Sequence, residues 1–295
     1  MFLPIPVTGV VTTHYINILV IMKSYLVPVD FSSNAQRALS AARILAKTTG
    51  AHLYVLHAHQ PYIPDIALGA PGMPLPEDFE EAFRNDLQQY VDDLTAAGFS
   101  AEGIWEQGIV ADVVKGKIEA LKPELVIIGR TGTGGFVDRL FGTAASDIVK
   151  ISKVPVLVIP PQAHPENFRE IVYATQLEHE ERHVIGKVLE LSRQLSGRIT
   201  FLKINSLTQP NIQEDNQFIH EITAEFGLPE SEFMIEDAGS VIGGIEQYAK
   251  ELNADLLVVA TRSRGILEQL FVDPSVTAKL IVRTSIPLLV YHLEE

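Results

Sequence analysis

A glycine-spaced segment in the middle of the chain has the residue types needed to bind an anion. Gly129 and Gly132 are followed, after nine further residues, by the pair Gly142-Thr143. Glycine has no Cβ, so its backbone N–H can face a phosphate closely. The N–H groups of a helix that begins at Gly142-Thr143 would hold a second phosphate, and Thr143 can cap that helix or donate its hydroxyl. The spacing predicts a phosphate-binding loop, although an isolated glycine pair is more typical of an ordinary turn.

An acidic residue, Asp30, ends an apolar run far earlier in the chain. Its carboxylate can accept a hydrogen bond from an amine or from a ribose hydroxyl. Because a carboxylate close to phosphates would be repelled, we place it at the nucleoside end of a bound nucleotide. The alternative is a purely structural role beside the N-cap of the next helix, with Ser32 or Ser33.

The elements that must position these residues are alternating strands and helices. Apolar runs at 125–128 and 156–159 flank the glycine segment, and the pattern of the first half returns in the second, with Tyr25–Asp30 aligned to Glu170–Thr175. Alternation of this kind predicts an α/β fold with two doubly wound, five-stranded parallel-sheet domains in tandem. In the common strand order 3-2-1-4-5, ligands bind between the ends of strands 1 and 4, which brings Asp30 beside Gly129.

The predicted boundaries divide the chain into four parts. Residues 1–21 have no charged side chain but are interrupted by prolines and polar residues, so they fit neither a secretory signal nor a membrane span. We interpret them as an N-terminal extension outside the fold, with Met22 as the natural start. The first domain is predicted at 22–161, a linker at 162–168 and the second domain at 169–295.

Composition narrows the classes of function. The net charge of −14 argues against a nucleic-acid partner, which would require a basic surface. The absence of cysteine excludes disulfides, thiolate catalysis and cysteine-bound metal. Hydrophobic residues make up 46% of the 295, which suits about two globular domains. We expect a cytoplasmic protein with no membrane partner.

Three segments together resemble the universal stress protein family in its tandem two-domain form. They are Val27-Pro28-Val29-Asp30, Leu56-His57-Ala58 and the G-x2-G-x9-G-T spacing of residues 129–143, and the resemblance extends over residues 22–295. It implies a Rossmann-like, adenine nucleotide alpha hydrolase-like fold that binds ATP with Mg and acts in the stress response. By the same resemblance, the backbone of Ala58 pairs with adenine. The implied site comprises Pro28, Val29, Asp30, Ala58, Gly129, Arg130, Gly132, Gly142, Thr143, Ala144 and Ala145.

The sequence departs from the family pattern in both halves. The family often has a second hydroxyl where this chain has Ala145, and Ser146 could substitute for it. In the second half the aligned positions are Thr175 for Asp30, Ala260 for Gly129, Ser263 for Gly132 and Pro274-Ser275 for Gly142-Thr143. Proline has no N–H to donate, so we expect no ATP there. Arg262 and Arg264 could still attract an anion, and structural pairing is the other expected role.

A separate motif, His179-Glu180-Glu181-Arg182-His183, matches the H-E-x-x-H pattern. On a helix this pattern places two histidines on one face for zinc, with the glutamate as base. The segment falls at the solvent side of a helix start, and no third ligand can be assigned. We therefore disfavour a metalloprotease and leave adventitious metal binding through His179 and His183 as the alternative.

Three classes of function follow: an ATP-binding regulatory protein, a slow ATPase, and a scaffold that retains the fold for partner binding. Arg130 and Arg139 are the nearby candidates for a γ-phosphate, and an arginine in such a loop is usually solvated. Binding is therefore favoured over turnover. The last strands of the two halves, near Val156 and Leu288, are edges that can pair with each other within the chain, and a further homodimer is open.

Overall fold

The computed structural model describes residues 23–59, 62–65, 70–74, 77–130, 144–206, 214–262 and 276–293. In the first half (residues 22–161) the elements are β1 Ser24–Pro28, α1 Ser33–Thr49, β2 His52–His59, β3 Tyr62–Asp65, β4 Ala70–Pro74, α2 Glu77–Ala96, β5 Ala101–Gln107, α3 Val110–Leu121, β6 Leu125–Gly129, α4 Ala144–Ile151 and β7 Val156–Ile159. In the second half (residues 169–295) they are β8 Glu170–Ala174, α5 Arg182–Leu195, β9 Arg198–Asn205, α6 Asp215–Phe226, β10 Phe233–Asp237, α7 Val241–Glu251, β11 Leu256–Arg262, α8 Val276–Arg283 and β12 Leu288–Leu293.

Ten of the strands form one sheet in the order β10-β9-β8-β11-β12-β7-β6-β1-β2-β5. In this sheet all neighbouring strands within each half are parallel, and each half has the order 3-2-1-4-5. This confirms the predicted fold class and places the switch points between β1 and β6 and between β8 and β11. The antiparallel hairpin of β3 and β4 lies in a proline-rich segment and was not predicted.

The two halves meet where β7 and β12 pair antiparallel, with Leu157 opposite Leu289. Helices cover both faces of the sheet. One core cluster draws on α1, α2, α5 and α6, and the other on α3, α4, α7 and α8. Each cluster contains residues of both halves. Two residues of the segment predicted as a linker, Ala163 and Phe168, are buried in the first cluster, so the segment is anchored to this core.

Helix α1 shows how local sequence fixes the geometry at the end of β1. Ser32 takes an extended conformation and its hydroxyl accepts from the N–H of Ala35, which caps the helix. Ala38, Ala42 and Leu45 recur at helical spacing and are buried against the sheet. Gly50 ends the helix in the left-handed conformation, with φ of 69°. The start of α1 is thereby held beside the ends of β1 and β6.

None of the described helices is both long and apolar enough to cross a membrane.

Candidate functional site

A pocket of about 140 Å³ lies at the carboxyl ends of β1, β2 and β6, on the sheet face covered by α3 and α4. It is the switch point of the first half, where the fold class predicts a ligand. The structure brings six of the predicted site residues together around it: Pro28, Val29, Asp30, Ala58, Gly129 and Ala145. Val110 and Val114 of α3 add an apolar wall. Ala144 begins α4, whereas Gly132, Gly142 and Thr143 lie outside the described residues, as does Arg139.

Asp30 is exposed at the rim of this pocket and also supports the start of α1. Its Oδ1 accepts from the backbone N–H of Ser32 at 3.0 Å and from the Ser32 hydroxyl at 2.5 Å. Ser32 in turn caps α1 through Ala35. The two interpretations of Asp30 are therefore compatible, because one carboxylate can both orient the cap and present an acceptor to the pocket.

Gly129 is required by packing at this position. A Cβ built on Gly129 would lie 2.2 Å from the backbone oxygen of Asn34 and 3.1 Å from the backbone nitrogen of Ala35. The end of β6 therefore lies so close to the first turn of α1 that only glycine, which has no Cβ, fits at position 129. This close contact between strand end and helix start shapes one wall of the pocket.

His57 is a site-supporting residue that the sequence analysis quoted within Leu56-His57-Ala58 without giving it a role. It lies on the sheet face opposite Ala58, and its Nδ1 donates to the backbone oxygen of Val29 at 2.8 Å. Its ring centroid is 4.6 Å from that of Phe31 and 4.9 Å from that of Trp105. Burial lowers the pKa of His57 below its usual range. The available signal was a histidine between apolar residues in the second strand, directly before Ala58.

The second half has a corresponding pocket of about 210 Å³ at the ends of β8, β9 and β11. Equivalent backbone hydrogen bonds show which residues of the two halves correspond. The N–H of Val29 donates to the backbone oxygen of Leu56, and the N–H of Thr175 donates to that of Leu202. Thr175 is thus equivalent to Val29, and Gln176 to Asp30. The sequence alignment of Asp30 with Thr175 was wrong by one residue, because continuously apolar buried strands give no alternation that fixes register.

The chemistry of the second pocket differs from that of the first. Ile204 stands where the first half has Ala58, and it lines the pocket with Ala260, the counterpart of Gly129. Glu181 is only 3% exposed. It accepts from the hydroxyls of Tyr173 and Thr175 at 3.0 and 2.8 Å, and from two backbone N–H groups. Burial raises the pKa of Glu181.

Arg262, predicted to attract an anion, is held by carboxylates instead. Its guanidinium donates to Glu178 and lies 3.7 Å from Glu180. Its charge is already compensated within the chain, which weakens its attraction for an external anion. Arg264 lies outside the described residues.

Arg130 corrects another expectation. It was predicted to be solvated in the loop and to contact phosphate, but it is 4% exposed. Its guanidinium donates to the backbone oxygen of Val282 and, at 2.8 Å, to that of Thr284, both at the end of α8 in the other half. The backbone N–H of Arg130 donates to the backbone oxygen of Ile159. Neither the side chain nor the N–H of Arg130 is directed to the pocket, since both bond to backbone elsewhere.

The H-E-x-x-H segment does not form one continuous helix. Residues His179–Glu181 make a 3-10 turn, and α5 begins at Arg182. His179 is exposed and its Nδ1 lies 3.7 Å from Glu221. Glu180, the glutamate that would act as base, is also exposed and lies 3.7 Å from the guanidinium of Arg262. Among the described residues there is no group of three or more histidine or acidic side chains that could hold a metal ion.

Comparisons with known proteins agree with this architecture. A model of the Universal stress protein family matches residues 22–160 and 167–292. The universal stress protein in the QAH/OAS sulfhydrylase 3′ region of Thermus aquaticus is 29% identical over 143 residues, 46% of this chain and 98% of that protein. Universal stress protein YxiE of Bacillus subtilis is 25% identical over 142 residues, 45% of this chain and 96% of that protein. A universal stress protein structure from Archaeoglobus fulgidus covers 92% of this chain and 97% of its own, with a TM-score of 0.70 and 18% identity, and so has the same fold.

Proposed function

The chain belongs to the universal stress protein family, and on that premise we propose that its first half binds one ATP, with magnesium, in a regulatory or stress-response role in the cytoplasm. The observation that carries the proposal is the convergence of Asp30, Ala58 and Gly129 on one pocket at the switch point. These residues come from three distant parts of the chain, and each suits a different part of a nucleotide.

The chemistry of the pocket supports adenine and ribose in particular. Ala58 is small, and the valines of α3 offer an apolar surface on which a flat base can pack. Asp30 at the rim can accept from ribose hydroxyls. The triphosphate would then extend past Gly129 toward the glycine spacing that continues to Gly142-Thr143, where N–H groups are suited to it.

The second half is proposed not to bind ATP. The second pocket is larger overall, about 210 Å³ against about 140 Å³, but Ile204 occupies the place of Ala58, so its side chain fills the position where a base would lie against the strand. Glu178 and Glu181 also line this pocket, and Glu178 engages the guanidinium of Arg262, so the charge of that arginine is not free to attract a phosphate. We propose that this half serves as a structural partner of the first. The β7–β12 ladder joins the two halves within one chain, so the edge strand β7 does not need a strand from a separate chain.

Binding is favoured over turnover. Among the described residues that line the first pocket, Asp30 is the one titratable side chain, and it is engaged with Ser32. Arg130, considered as a partner for a γ-phosphate, is bonded to α8. We therefore propose at most slow hydrolysis of ATP, and a scaffold without nucleotide remains the second candidate.

Calorimetric titration of the full chain with ATP and magnesium tests the proposal. We expect one ATP per chain, and we expect Ala58→Ile to abolish binding by copying the second half. The reverse change, Ile204→Ala, is the matched control and should leave the stoichiometry at one. Two ATP per chain would contradict the account of the second half. No binding would favour the scaffold, and steady release of ADP would favour the ATPase.

A further inference from the structure

A cavity of about 420 Å³ lies between the two halves, away from both switch points. Its floor is the β7–β12 ladder, with Leu157 and Leu289, and its sides are Leu45 of α1 and Leu191 of α5. Both halves contribute to it, so the cavity exists only in the joined chain. Its size and apolar lining are typical of small-molecule sites, which often occur between domains.

Tyr291 supplies the observation that points to a ligand. Its side chain lines the cavity and is only 8% exposed, yet its hydroxyl has no hydrogen-bond partner among the described residues. Tyr25 lines the same cavity, but its hydroxyl donates to Thr49 at 2.8 Å. The hydroxyl oxygen of Tyr291 is therefore open to the cavity, where it can donate to a ligand. Burial raises the pKa of Tyr291, with a further increase from Glu190, so the hydroxyl keeps its proton and can donate.

The charges at the rim indicate which ligands fit. Lys23 Nζ lies 3.5 Å from Glu124 and 3.9 Å from Glu190, so one ammonium is shared between two carboxylates. Lys153 and Lys187 complete the charged rim. Three ammonium groups and two carboxylates do not make a strong field of one sign. An ionic ligand would have to compete with the pairs already formed.

We propose that this cavity binds one small, uncharged, largely aromatic molecule through a single oxygen that accepts from the Tyr291 hydroxyl. The apolar walls contact the rings, and the compensated rim gives no advantage to a charged group. The site lies apart from the first pocket, so both can be occupied at once. The proposal goes beyond nucleotide binding and does not depend on it.

The test is an NMR titration of the full-length, isotope-labelled chain with three probes of equal ring size: 2-naphthol, naphthalene and 2-naphthoate. We expect 2-naphthol to bind one per chain and at least fivefold more tightly than the other two. Tyr291→Phe should weaken 2-naphthol binding about five- to tenfold, the size of one neutral hydrogen bond. The matched control Tyr25→Phe should leave the affinity unchanged, since that hydroxyl is already paired.

A further variant, Leu191→Trp, fills the cavity from its side and should abolish binding of 2-naphthol. Circular dichroism and thermal unfolding check that all three variants fold. Tighter binding of 2-naphthoate would overturn the uncharged class of ligand. Equal affinities for wild type and Tyr291→Phe, or the absence of saturable binding to the wild type, would overturn the site itself.

Discussion

At the scale of a single residue, His57 lies on one face of the sheet and supports the backbone of the pocket on the other face. Its Nδ1 holds the carbonyl of Val29 from the face opposite the first pocket, and its ring packs against Phe31. Phe31 has a φ of 61°, a conformation that side chains rarely adopt without support. Phe31 directly follows Asp30, so His57 helps to fix the backbone that presents the carboxylate.

This burial predicts a pH dependence of stability. Because the folded chain lowers the pKa of His57 from 6.5, the unfolded chain binds more protons as the pH falls below that value. The free energy of unfolding should therefore decrease from pH 7.5 to pH 5.5, measured by urea denaturation. His57→Gln should show a shallower decrease, and the exposed His164→Gln should retain the wild-type slope. Equal slopes for all three proteins would contradict this account of His57.

Gly129 gives a second prediction at the scale of one residue. In Gly129→Ala the new Cβ would meet the backbone of Asn34, which cannot rotate away, so we expect a loss of about 1–3 kcal/mol in the free energy of unfolding. Gly116→Ala is the matched control, because its Cβ would point into open space within α3. That change should stabilise by about 0.5–1 kcal/mol. Urea denaturation of both variants measures the difference, and equal stabilities would refute the packing argument.

At the scale of elements, Glu181 organises the connection from β8 to α5. It accepts four hydrogen bonds and closes a capping box with Glu178. In Glu181→Gln one oxygen becomes an NH₂ that cannot accept, so at least one buried donor loses its partner. We expect a loss of about 1–3 kcal/mol in the free energy of unfolding. Glu180→Gln, half-exposed and adjacent, should stay within about 0.5 kcal/mol of wild type. Similar losses for both would contradict the assigned role of Glu181.

The elements also show what sequence reasoning can reach. Alternating strands and helices were sufficient for the fold class and the strand order, because parallel sheets restrict topology strongly. The same alternating pattern predicted that Asp30 and Gly129 lie at the same end of the sheet. The register of Thr175 was wrong because both faces of these strands are buried. The 3-10 turn at His179 depends on the burial of Glu181, which the H-E-x-x-H spacing does not encode.

At the scale of the whole molecule, the two halves share one sheet and two continuous cores. The β7–β12 ladder removes an edge that each half would otherwise expose. The second half thereby completes the sheet of the first, a role that requires no nucleotide site of its own. The side chain of Arg130 also joins the two halves. Its hydrogen-bond partners lie more than 150 residues away along the chain, so local sequence spacing could not predict them.

Arg130 provides a direct test of the contact between the two halves. Its buried guanidinium satisfies two carbonyls at the end of α8, where a cation is also favoured by the helix dipole. Arg130→Ala would leave these carbonyls without that donor, so we expect a loss of about 1–3 kcal/mol in stability. Hydrogen exchange in α8 should become faster while α1 is unchanged. Arg130→Lys should recover only part, because an ammonium lacks the planar fork of a guanidinium. The exposed neighbour Arg283→Ala is the control, and unchanged exchange in α8 of Arg130→Ala would show that this contact does not hold the halves together.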